Sequence, residues 1–150
     1  MEKVVHLLRT RPSVDRAGSA ASVLGAVAEI EALGASNTTV HVVDESVAIG
    51  GPMPCGDGEL PLRAAVSTWV PAHDLVDLGA VLAPLAERVD GYLVTESVWS
   101  EYGQRRGSAR DWPAGERSPG ITTVAVVRRN DAIAEPEFTD LWYGRQSPMS

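Results

Sequence analysis

Two hydrophobic periods alternate along the chain. Lys3 to Arg9 is rich in Val and Leu and predicts a buried strand. Arg11-Pro12-Ser13 ends it. Ser19 is placed to cap a helix. Val23, Val27 and Ile30 then recur at spacings of four and three, which puts them on one helical face. Gly34 supplies a C-terminal stop, because glycine tolerates positive φ. Thr38 to Val43 is β-branched and predicts a second strand. A Gly/Pro-rich loop follows from Ala48 to Pro61, and Arg63 to Val70 predicts a third strand. Asp74 caps a second predicted helix, with Asp77 in its first turn. Leu75, Leu78, Leu82, Leu85 and Val89 form its apolar stripe, and Pro84 is expected to kink it. Tyr92 to Val98 predicts a fourth strand.

The order β-α-β-β-α-β is that of an α+β, ferredoxin-like antiparallel sheet. Helices then cover one face and leave the other bare. Exposed apolar surface costs about 25 cal/mol per Å². Sheet-against-sheet pairing is therefore expected, either as a homodimer or within one chain.

The pattern lapses over 102–119, where Gly103, Gly107, Gly115 and two prolines predict a linker. It then restarts. Thr122 to Arg129 repeats the character of Lys3 to Thr10, an apolar strand closing on arginine. A helix is predicted near Pro136, a favoured first-turn position, with Phe138, Leu141 and Trp142 on one face. The expected organisation is a ferredoxin-like domain over 1–101, a linker over 102–119, and an incomplete second repeat of one strand and one helix over 120–150.

Charge and cysteine usage exclude some functions. Twenty acidic against thirteen basic residues give a net charge of -7. That sign opposes nonspecific nucleic-acid binding and docking on anionic lipid. No apolar run approaches the length of a membrane span, and no signal peptide is apparent. The single cysteine, Cys55, excludes an intrachain disulfide. These features point to the cytoplasm.

Strand alternation nominates the chemistry. Val4, His6 and Leu8 share one face of the first strand. Ala65, Ser67 and Trp69 share one face of the third, and that set suits the face away from the helices. Tyr92, Val94 and Glu96 share a face of the fourth. His6 is the leading acid/base candidate, with Glu96 or Ser67 as its working partner. His41, Ser67, Trp69 and Tyr92 are candidate ligand-binding residues, since pockets are mostly apolar with a few polar groups. Core packing is the competing role for each. The histidines show no metal-ligand spacing, and the glycines at 50–58 lack the Lys-Ser/Thr of a phosphate loop. No metal or cofactor is expected.

Three stretches carry a family resemblance. They are Gly91-Tyr92-Leu93-Val94-Thr95-Glu96-Ser97, Pro119-Gly120-Ile121 with the Val-rich run to Arg129, and the tail with Phe138, Trp142 and Gln146-Ser147-Pro148. Together they resemble the EthD-domain family. That resemblance implies a dimeric α/β barrel binding a small hydrophobic organic molecule. It also implies cofactor-independent oxidation, isomerisation or cyclisation, or noncatalytic binding and dimerisation. The family's helix usually carries a histidine where this chain has Gln146, and glutamine cannot take a proton near neutral pH.

Overall fold

The computed structural model describes residues 1–47, 59–95, 112–119, 122, 124, 126, 129–142 and 144. The chain divides into two compact units, Met1–Glu96 and Ser97–Ser150.

The first unit is α+β. Its strands are β1 (Glu2–Arg9), β2 (Ser36–Val42), β3 (Leu62–Val70) and β4 (Arg88–Leu93). They form one antiparallel sheet in the order β2-β3-β1-β4, which is compatible with a ferredoxin-like fold. Between β1 and β2 run α1 (Arg16–Gly25) and α2 (Val27–Ala32). Between β3 and β4 runs α3 (Leu75–Leu82). Among the described residues no helix is long and apolar enough to cross a membrane.

Register assigns each strand residue to a face. Val4, His6 and Leu8 lie opposite Thr68, Val66 and Ala64 on one side, and opposite Leu93, Gly91 and Val89 on the other. This face carries the core. Val4, Leu8, Ala64, Val66 and Val70 pack there with Val23, Ile30, Leu78 and Leu82 from the helices. Thr68 is the polar member, fully enclosed. It donates to the Ser36 carbonyl at 3.0 Å and shares a 2.9 Å hydrogen bond with Thr38 Oγ1. Its buried hydroxyl is thereby satisfied.

The helix ends differ from expectation. Asp15, not Ser19, caps α1: its carboxylate accepts from the Gly18 amide at 2.7 Å. Ser19 lies inside the helix, four residues on. Gly34 ends the helical stretch at φ 78, as its conformational freedom predicts. The β4 boundary is corrected more strongly. The expected strand was Tyr92 to Val98, yet the observed strand is Arg88–Leu93. Pro84 does not kink α3. It sits in a 3-10 turn, Ala83–Leu85, that ends the helical run, and Ala86 is already extended at φ -153. Val89 therefore belongs to β4 rather than to the helical stripe.

β2 is irregular. Its register against β3 shifts between Ser36 and Thr39, and Asn37 stands at φ 51 within that shift. Such a bulge places two residues of one strand against one of its partner.

In the second unit α4 runs over Glu135–Leu141, with Pro136 in its first turn and Phe138 stacked on Trp142 at 5.9 Å between centroids. The strand expected over Thr122 to Arg129 is not seen among the described residues. Thr122, Val124, Val126 and Arg129 take no regular structure.

Candidate functional site

The face of the sheet away from the helices is built by odd-numbered residues of β1 and β3. One row across it runs Thr39, Ser67, Val5, Tyr92. The next runs His41, Ala65, Leu7, Asp90. Trp69 lies beside Lys3 in a third row. Neighbouring strands lie about 4.8 Å apart, so these rows form a continuous platform. Four of the predicted site residues, His41, Ser67, Trp69 and Tyr92, share it.

His6 does not. Its alternation with Val5 and Leu7 turns it to the helical side, opposite Val66 and Gly91. Ser67 pairs with Val5 and faces the other way, so the sheet separates His6 from Ser67 and that working pair is not formed. Glu96, the other expected partner, lies outside the described residues, as do Cys55 and Gln146. His6 is 8% exposed, and its Nδ1 is buried without a hydrogen-bond partner. Burial pushes its pKa below the ordinary histidine value. His41 is lowered for the same reason. Both imidazoles are thus biased toward the neutral form.

The platform is apolar at its centre and polar around it. Leu7 and Ala65 are each 3% exposed. Trp69 and Ser67 are half-buried, and Tyr92 is 45% exposed at the β4 margin. Lys3 Nζ stands 5.6 Å from the centroid of the Trp69 ring, a cation–π distance. At the far end Asp90 takes Arg88 Nε at 2.8 Å and Arg9 Nε at 3.5 Å. Arg9 also donates to the Leu60 carbonyl at 3.1 Å. Sequence reasoning missed Lys3, Arg9 and Asp90. The signal for Lys3 and Arg9 was available, because they share odd parity with Val5 and Leu7.

A separate groove of about 250 Å³ lies between the start of α1 and the 83–85 turn, against Asp15, Ser19, Ser22 and Leu85. None of the predicted site residues lines it. Among the described residues no group of three or more His, Cys, Asp or Glu is placed to hold a metal ion.

This face gathers the aromatic rings of Trp69 and Tyr92 with the polar groups of Ser67, Thr39 and His41, around a centre at Leu7 and Ala65 that is already enclosed within the chain. No protein-family model matches this chain, and no curated protein matches it.

Proposed function

We propose that this chain is an EthD-like module of the dimeric α/β-barrel type, which binds a small, flat, hydrophobic organic molecule at the sheet face opposite α1 to α3. One observation carries this reading. His41, Ser67, Trp69 and Tyr92 converge on that face around Val5 and Leu7, while His6 is turned into the core. Binding sites combine apolar and aromatic walls with a few polar groups, and this face has that composition. Proton-transfer catalysis by His6 would need the imidazole within reach of a bound molecule. From the helical side it has no such reach to the platform. Binding without turnover is therefore the favoured role. A second copy of the chain would cover the open margin at Tyr92, the centre at Leu7 and Ala65 being enclosed already. The expected setting is the cytoplasm, with no resident cofactor.

A second reading has its own observation. The His41 imidazole is on the platform and biased neutral by burial, so it can accept a proton at neutral pH. In that reading His41 is the base and Ser67 orients the molecule during a cofactor-independent isomerisation or cyclisation.

Tryptophan fluorescence titration with a panel of flat aromatic compounds tests both, alongside sedimentation. Trp69→Ala should weaken binding at least about tenfold, the loss of one aromatic contact in a site. His41→Gln should retain binding and, in the second reading alone, abolish turnover. Unchanged binding in Trp69→Ala, or a protomer that stays single with and without the compounds, would remove the proposal.

A further inference from the structure

His6 is a buried base that the proposed binding reading leaves unused. Its described neighbours on the helical side are mostly apolar. Val4 and Leu8 flank it along β1, Val66 lies across on β3, and Leu78 and Leu82 of α3 belong to the same core. The buried Thr68 hydroxyl of β3 is already committed to Ser36 and Thr38. Glu2 shares the His6 face of β1 by alternation but is exposed at the strand's start, and burial is the cause of the lowered His6 pKa.

The β4 side is different. Gly91 lies directly opposite His6, and a Cβ built there would stand 2.9 Å from His6 Nε2. The imidazole thus occupies the space that a side chain at 91 would take. β4 is also the more lightly held neighbour. Arg88, Gly91, Tyr92 and Leu93 are exposed, whereas β3 is buried along most of its length. Segments with few buried contacts open at the lowest cost. A protonated imidazole must gain water or an anionic partner, and the way out past Gly91 disturbs the least packing.

We propose that protonation of His6 opens the β1–β4 edge of the sheet, making this edge an acid-released flap on an otherwise intact domain. The direction follows from linkage. Burial lowers the folded-state pKa, so the opened state takes up the proton first. The closed edge is fully held above about pH 6.5, the ordinary histidine value. It is progressively released as pH falls from there toward the folded-state pKa, by up to about tenfold in the opening equilibrium per pH unit.

The test is an NMR titration of the full chain from pH 8 to pH 4.5. The His6 ring resonances should titrate below about 6.5. The amides of 88–93 should change with the same midpoint, while any change in β2 and its β3 partners should follow the His41 ring instead. Gly91→Ala forces the ring from its seat and should raise the His6 midpoint toward the ordinary value. His6→Gln should abolish the acid-dependent change at 88–93, and His41→Gln should preserve it. A His6 midpoint at or above 6.5 overturns the proposal. So does a response at 88–93 whose midpoint differs from that of the His6 ring, or one that persists in His6→Gln. Should His6→Gln fail to fold, the titration of the unaltered chain decides by itself.

Discussion

Single side chains set several local energies. Asp15 satisfies the Gly18 amide at the start of α1. Asp15→Ala should lower stability by about 1 kcal/mol in a thermal melt, the usual cost of losing such a cap. Thr68→Val keeps the volume but removes the hydroxyl that joins Ser36 and Thr38. Two partly buried hydrogen bonds are then lost, so urea unfolding should show a loss of about 0.5–1.5 kcal/mol. Gly34→Ala keeps the chain at φ 78 with an added Cβ, which should cost about 1–2 kcal/mol in the same assay. At this scale the sequence was partly legible. The grouping of Val4, His6 and Leu8 on one face follows from alternation alone. That their face is the helical one depends on where α1 to α3 pack, and one strand's alternation does not contain that information. The Asp15 cap was missed because Ser19 is an equally good cap by residue type. Only the position at which the helix starts distinguishes them.

At the scale of elements, β1 and β3 form close to where their Val-rich runs predict, since both are central strands with apolar residues on both faces. β4 was displaced by several residues. The spacing from Leu85 to Val89 continues the helical stripe by coincidence, and Arg88, Asp90 and Gly91 have little intrinsic strand preference. Pairing to β1, not local propensity, makes them a strand. Hydrogen bonds from Glu87 N to Arg9 O and from Val94 N to Lys3 O extend that pairing at both ends, each at 3.0 Å. α3 is anchored by Leu78 and Leu82, both fully enclosed. Leu82→Ala should cost about 2–5 kcal/mol in denaturant unfolding, the range for a truncated core leucine. Val76→Ala, on the exposed side of the same helix, should fall within about 0.5 kcal/mol.

For the whole molecule, the βαββαβ order was legible because hydrophobic period switches from two to three-and-a-half and back at recognisable breaks. The face that sequence marks as free of helices is the one carrying Trp69 and Tyr92. The platform's closed centre at Leu7 and Ala65 was not foreseen, since alternation sorts residues by face but does not grade their exposure. If the module pairs sheet to sheet, sedimentation at micromolar concentration should give twice the chain mass, and Tyr92→Lys should shift it toward the single chain by placing a charge at the contact.

The irregularity in β2 reaches further than its size suggests. Ser36 and Thr39 both point to the platform, three positions apart, because one extra residue is absorbed at Asn37. Asparagine accepts that left-handed backbone more readily than most residues. Were the kink ironed out by a β-branched replacement, the strand would be free to slide by one place along β3. Val40 and Val42 would then exchange sides with Thr39 and His41, greasing the platform and driving an imidazole into the interior. A single asparagine thus acts as the ratchet tooth that keeps this border strand from reading its own sequence inside out.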